Sequence, residues 1–132
     1  MAMGLLKILR RLFRHRVYPR FYADKGVFVV VEPYTIEGRK VQVLDISEGG
    51  CAFIYNGSKE ELEESGILSL QSDDIPYLDR IDFVTKSDTL LSDSKDKKEQ
   101  LRRRSVEFKW LGVFDRKKLK EFIKKTVIGP VS

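Results

Sequence analysis

The sequence predicts a mainly β fold: a small antiparallel barrel with one α-helix packed at its side or end. Three observations carry that expectation. Short runs of β-branched and aromatic residues recur along the chain, separated by Gly, Pro, Asn and Ser. One late segment switches to helical spacing. No internal repeat is present, and 132 residues suffice for one domain that buries its core without a disulfide or a structural metal.

Residues 5–14 read as a short amphipathic helix. Leu5, Leu6, Leu9, Leu12 and Phe13 share one side, and Lys7, Arg10, Arg11 and Arg14 share the other. Pro19 disfavours helix at the residue before it, so Arg16 to Arg20 is expected as an extended or turning linker. Val27 to Glu32 and Lys40 to Ile46 form a hairpin around the turn-rich Pro33 to Gly38. Gly49 and Gly50 interrupt the pattern before Cys51 to Tyr55 resumes it, and Asn56-Gly57 ends that strand. Ser58 is placed to cap a helical turn with Glu61 reaching back.

Further strands are expected at Ile67 to Leu70 and Ile81 to Lys86, with Ser87 to Leu91 extending the second. Ser92 to Gln100 is polar, charge-mixed and without an apolar anchor, which predicts a mobile loop. Arg102 to Leu111 predicts a long last strand with Val106, Phe108 and Trp110 on one face, putting Trp110 in the core or at the barrel rim. Asp115 then caps a final helix whose stripe is Leu119, Phe122, Ile123 and Val127, ended by Gly129-Pro130. The organisation that follows is a basic amphipathic leader over 1–13, a domain over 14–127 and a tail over 128–132.

The net charge of +5 favours partners that carry phosphate: nucleic acid, an anionic membrane surface or a phosphorylated small molecule. Basic residues gather between Lys7 and Arg20, at Arg102 to Arg104 and from Arg116 to Lys125, flanking an acidic middle. Cys51 is the only cysteine, so a disulfide within the chain and a cysteine-rich zinc site are excluded, and a reducing cytoplasm fits. It reads as a buried strand residue rather than a nucleophile. His15 is the only histidine, the acidic residues lack a calcium-loop spacing, and no nucleophile–base pair is visible, so neither an enzyme nor a metal protein is expected. No apolar run reaches spanning length.

Two strings carry chemistry. Arg16 and Arg20 are spaced Arg-x-x-x-Arg, and 25 residues after Arg20 comes Asp45-Ile46-Ser47-Glu48-Gly49-Gly50. A guanidinium can fork onto guanine O6 and N7, stack on a base or grip a phosphate. An ionised carboxylate accepts from the N–H groups of guanine's other edge, a serine hydroxyl donates to phosphate or ribose oxygen, and glycines let the backbone approach closely. Taken singly, the arginines read as a solvated basic linker, and Asp45 to Gly50 as a β-turn in which Gly supplies positive φ.

Together, the strings resemble the ligand signature of the PilZ domain, a bacterial receptor family for cyclic di-GMP, over roughly Arg14 to Val127. The setting Tyr18-Pro19-Arg20-Phe21 is similar to the family's His-Pro-Arg followed by an apolar residue. The chain departs from the pattern at His15, a position associated with ligand number, and in offering Val106-Glu107-Phe108 instead of a Gly-x-x-Phe element. The resemblance implies a split barrel with Arg16, Arg20, Asp45, Ser47, Gly49 and Gly50 around cyclic di-GMP. It implies no other cofactor or metal, and a cytoplasmic adaptor acting on an effector protein in motility, pilus or polysaccharide pathways. Residues 1–13 would add weak contact with an anionic membrane. A basic small barrel that binds nucleic acid ranks below this reading, beside a PilZ-like interaction module without ligand.

Overall fold

The computed structural model describes residues 18–32, 39–73 and 75–131, with the backbone alone for Glu32, Arg39, Ile75 and Pro76. Arg16, His15 and the expected leader helix lie outside the described residues. The strands are β1 (Phe21–Ala23), β2 (Val27–Glu32), β3 (Arg39–Ser47), β4 (Gly50–Asn56), β5 (Ser65–Ser72), β6 (Ile75–Ser92), β7 (Leu101–Lys109) and β8 (Val127–Pro130), with helix α1 (Val113–Thr126) between the last two. The sheet order is β2-β5-β6-β7-β4-β3-β1-β8, and β2 also pairs with β3. That extra pairing closes six strands into an antiparallel barrel, leaving β1 and β8 as an outer ribbon.

Period-two alternation fills the barrel. Val27, Val29 and Val31 point inward from β2, Val41, Val43 and Ile46 from β3, Cys51, Phe53 and Tyr55 from β4, and Val106 and Phe108 from β7, all buried. The phase of β3 changes once. Val43 pairs with Phe53 and Asp45 with Ala52, so Leu44 is an extra residue on β3, a β-bulge. Past it, Ile46 continues into the core opposite Cys51, whereas Asp45 and Ser47 take the outer face with Ala52 and Gly50.

Charged side chains enter one end of the barrel. Arg104 takes the inward phase of β7 and is 1% exposed. Its guanidinium donates from Nε to Asp88 (2.8 Å), from Nη1 to the Glu63 carbonyl (2.9 Å) and Thr85 Oγ1 (3.3 Å), and from Nη2 to the Lys59 carbonyl (2.8 Å). Asp88 also accepts from Arg102 Nε and the Tyr55 hydroxyl. Arg104 thereby ties the β4–β5 connection across the barrel end, and a buried charge is tolerable only with such full pairing. Burial opposes ionisation of Asp88, but the bonds from Tyr55, Arg102 and Arg104 outweigh it and hold the carboxyl below its ordinary range.

Several elements differ from their sequence expectation. Strands β5 and β6 are longer than the apolar runs that mark them, because β6 pairs with β5 along its first half and with β7 along its second. Asp93 to Gln100, within the stretch expected as a mobile loop, carries local hydrogen bonds and a 3-10 turn at Lys97–Glu99. Asp96 accepts from the Lys98 amide (3.0 Å) at the start of a 3-10 turn, and Gln100 Nε2 donates to Asp93 (2.8 Å). Ser58 precedes a 3-10 turn at Lys59–Glu61 but makes no side-chain cap bond.

Helix α1 begins at Val113 with Gly112 as its cap, leaving Asp115 inside the first turn, where a carboxylate favours the helix dipole. It buries Leu119, Phe122, Ile123 and Thr126, with the Phe122 and Tyr77 rings 5.0 Å apart. Val127 leaves the helix, and Val127–Pro130 pairs with β1 where a helix end and tail were expected. The last strand stops short of the expected Leu111, and of the two places expected for Trp110, core or rim, it takes the rim. Strand β7 ends at Lys109, Trp110 turns to φ +56°, and its side chain is 89% exposed instead of following Phe108 inward.

Two predictions follow from this packing. Asp88→Asn should lower stability by about 3 kcal/mol at neutral pH, since it strands two arginines at the barrel end. Because the folded-state pKa is depressed, the wild-type advantage is full above the ordinary carboxylate pKa and shrinks as pH falls below about 4, measurable by urea unfolding across pH. At Gly50, an added Cβ would lie 2.1 Å from the Val106 carbonyl oxygen, whereas at Gly129 it meets nothing within 4 Å. Thermal unfolding should therefore show Gly50→Ala losing about 1–3 kcal/mol and Gly129→Ala staying within about 0.5 kcal/mol of wild type.

Candidate ligand-binding site

The site forms on the outer face of β3, β4 and β7, where the bulge at Leu44 has turned Asp45 and Ser47 outward. Strand β1 brings the distant arginine to it. Phe21 pairs with Ile46 and Tyr22 with Asp45, so Arg20, one residue earlier, arrives beside Ser47. The Val131 amide donates to the Arg20 carbonyl at 2.9 Å, fixing that segment from its other side. Pairing between β1 and β3 therefore brings Arg20 to the second string.

Asp45 is 3% exposed. Its Oδ2 accepts from Arg103 Nη2 at 3.2 Å, while its Oδ1 is buried with no protein hydrogen-bond partner. Arg103 reaches it from the outward phase of β7 across the small side chain of Ala52, which pairs with both Asp45 and Ser105. Among the described residues, Arg20 Nε is the other buried side-chain polar atom without a hydrogen-bond partner. A buried donor and a buried acceptor thus stand unsatisfied in the same place.

The Ser47 hydroxyl is engaged with its own turn. It accepts from the Gly49 amide (3.1 Å) and lies 3.4 Å from the Gly50 carbonyl. Neither glycine has the positive φ expected of a β-turn; both are required by close approach. A Cβ on Gly49 would press on the Tyr18 ring at 2.9 Å, and one on Gly50 would strike β7.

Two adjoining cavities open here, of about 490 and 340 Å³. Arg20, Ser47, Gly49 and Glu107 line both, so the two form one divided cleft. The smaller part contains Asp45, Gly50, Cys51 and Lys86. The larger contains Tyr18, Trp110 and Arg116, where the Arg116 guanidinium lies 5.5 Å from the Tyr18 ring centre and donates to its hydroxyl. Glu107, between the two, is bonded by Lys86 (2.7 Å) and Lys109 (2.9 Å), which hold its carboxyl below the usual range. Burial, with the Asp45 carboxylate nearby, pushes the Cys51 thiol up, so it offers no ready nucleophile.

The structure therefore brings together Arg20, Asp45, Ser47, Gly49 and Gly50, and leaves Arg16 outside the described residues. Sequence reasoning did not single out Arg103, Glu107 or Arg116 for the site. Each follows only from strand register or helix docking, although Arg103 and Arg116 stood within basic clusters visible in the sequence. Among the described residues, no cluster of His, Cys, Asp and Glu could hold a metal ion, and no helix is long and apolar enough to cross a membrane.

No protein-family profile and no curated protein sequence matches the chain. Solved structures do. The MrkH–c-di-GMP complex from K. pneumonia is 20% identical with a TM-score of 0.63, over 84% of this chain and 52% of MrkH. The PilZ domain of YcgR from Escherichia coli, solved with c-di-GMP, is 18% identical with a TM-score of 0.60, over 84% of this chain and 90% of that domain. PlzA from Borreliella burgdorferi, also in complex with c-di-GMP, is 9% identical with a TM-score of 0.54, over 95% and 57%. The chain spans about half the length of the MrkH structures it matches. On this likeness, and with its closed six-strand antiparallel barrel and C-terminal helix, the chain has the fold of a PilZ domain.

Proposed function

We propose that the chain is a receptor for cyclic di-GMP that acts as an adaptor rather than an enzyme, with Arg20, Asp45, Ser47, Gly49 and Gly50 as its binding surface and Arg16 joining them. The observation that supports this most is the pair of orphaned atoms, Arg20 Nε and Asp45 Oδ1, in one cleft. Leaving such groups unpaired costs about 1–3 kcal/mol each, so a ligand that satisfies both is favoured by a large margin over one that satisfies neither. Guanine has the matching edges: O6 and N7 accept from a guanidinium, and its N1–H and N2–H donate to a carboxylate.

The cleft also suits the rest of a cyclic dinucleotide. Its two parts fall in the roughly 300–1,000 Å³ range of small-molecule sites. Gly49 and Gly50 leave the turn without side chains, and Lys86 and Arg103 add positive charge for phosphate. Three of the structurally similar proteins were solved with c-di-GMP or are described as dependent on it, which supports the choice of ligand. Bound ligand would fasten the segment entering β1 to the barrel wall and change the surface offered to an effector protein. A cytoplasmic setting agrees with the single reduced, buried Cys51.

Titration calorimetry on the full chain tests this directly. Wild type should bind cyclic di-GMP at roughly micromolar concentration. Arg20→Ala and Asp45→Ala should each weaken binding at least about tenfold, the scale of a hydrogen bond to a charged group, and Arg16→Ala should do likewise. A wild-type protein that gives neither heat nor thermal stabilisation with the dinucleotide is a ligand-free interaction module. Tight, salt-dependent binding to generic oligonucleotides in its place would instead mark a nucleic-acid-binding barrel.

A further inference from the structure

The start of α1 leaves its apolar residues in water. Val113 and Phe114 are 84% and 83% exposed, and Trp110, just ahead of them in the chain, is 89% exposed. Helical spacing explains why the first two miss the core. The buried stripe of α1 is Leu119, Phe122, Ile123 and Thr126, and Val113 and Phe114 fall on the outer side, one turn before Lys117 and Lys118. Neither lines any part of the ligand cleft. A single exposed apolar side chain is ordinary, whereas three large ones in one short stretch mark a contact surface.

Charge decides what that surface accepts. Lys117, Lys118, Lys120, Lys124 and Lys125 are exposed along α1, against the exposed acids Asp115 and Glu121. Lys120 reaches Glu48 at 3.7 Å, but among the described residues Lys117 and Lys118 form no ion pair. A second copy of the chain, docked face to face, would set lysine against lysine. The leader would bring Lys7, Arg10, Arg11 and Arg14 and meet the same repulsion. An anionic partner meets none. The cavities that reach this end of β7 contain Trp110 but neither Val113 nor Phe114, so the tip projects and offers no pocket for a protein side chain. Projecting Trp, Phe and Val with lysines directly behind them suit a bilayer interface, where aromatic rings settle at headgroup level and lysines meet lipid phosphate.

We propose that Val113, Phe114 and Trp110, backed by Lys117 and Lys118, are a docking surface for an anionic lipid bilayer. The contact is peripheral, since no helix among the described residues is long and apolar enough to cross a membrane. One short apolar tip gives weak, reversible binding, and stable association takes a second signal. The basic, amphipathic leader supplies one from a nearby attachment point: it joins the described chain at Tyr18, whose hydroxyl accepts from Arg116 near the start of α1. This surface is independent of the receptor reading above.

Flotation of the full chain with vesicles tests it, comparing pure phosphatidylcholine with phosphatidylcholine containing phosphatidylserine. The chain should float with the anionic vesicles, less so as salt rises, and stay behind with the neutral ones. Trp110 is the chain's only tryptophan, so its emission should shift to the blue as the indole leaves water. Val113→Ser/Phe114→Ser and Lys117→Glu/Lys118→Glu should each weaken partition at least about tenfold. All four positions are exposed, so both variants should keep the wild-type melting temperature, which separates lost docking from lost folding. A chain that does not float with phosphatidylserine vesicles overturns the proposal. So does flotation that survives both double variants and is abolished by Leu9→Ser/Leu12→Ser, which assigns the contact to the leader alone. Self-association that Val113→Ser/Phe114→Ser abolishes, in a chain without vesicle binding, overturns it in favour of a second copy.

Discussion

Leu44 is one residue too many for the β3–β4 ladder, and the character of the site depends on it. Without the bulge, strict alternation from Val41 and Val43 would carry Asp45 into a core of Val, Phe and Leu side chains. A carboxylate there would have to lose its charge or find a cation. With the bulge, Asp45 and Ser47 face outward, Ile46 keeps the core closed, and β1 can pair alongside with Arg20 in reach. A local irregularity in hydrogen bonding thus turns a sequence string into a surface with opposite charges side by side.

Much of the barrel was legible because its strands alternate and its turns carry Gly, Pro, Asn and Ser. Val27 to Glu32 and Cys51 to Tyr55 are clear examples. The Asp45 to Gly50 string was legible because it combines side chains and spacing that few turns need. What could not be read were consequences of register. Arg102, Arg103 and Arg104 look alike in the sequence, yet the first and third converge on Asp88 while Arg103 holds Asp45 on the outer face. Only pairing of β7 with β4 and β6 decides that. The glycines answer to close approach, as in the ligand reading, but the groups that exclude a Cβ are the Tyr18 ring and the Val106 carbonyl, and the positive φ of the ordinary-turn alternative is absent. Trp110 continued an apolar alternation on paper, but the strand ended before it.

The charge distribution bears on which polyanion fits. The cleft is not a uniformly basic groove: Asp45, Glu48 and Glu107 lie among Arg20, Arg103, Arg116 and Lys86. A repeating phosphate backbone is drawn to positive surface and repelled by such carboxylates. A ligand with base edges that donate as well as phosphates that accept uses both signs. Of the α1 lysines, Lys120 reaches Glu48 at the cleft (3.7 Å), whereas Lys117, Lys118, Lys124 and Lys125 are exposed and line neither part of it, so the net charge of +5 overstates how basic the site is.

The central claim is that Arg20, Asp45 and the bulged end of β3 form one ligand surface with β7. Backbone amide shifts in a nitrogen-15-labelled sample, recorded during titration with cyclic di-GMP, test it most directly. The account predicts that the large changes concentrate at Tyr18 to Tyr22, at Asp45 to Ala52 and at Arg103 to Glu107, which are remote in sequence and adjacent on the outer face. Changes confined to the lysine face of α1, or a spectrum indifferent to the dinucleotide, would contradict it.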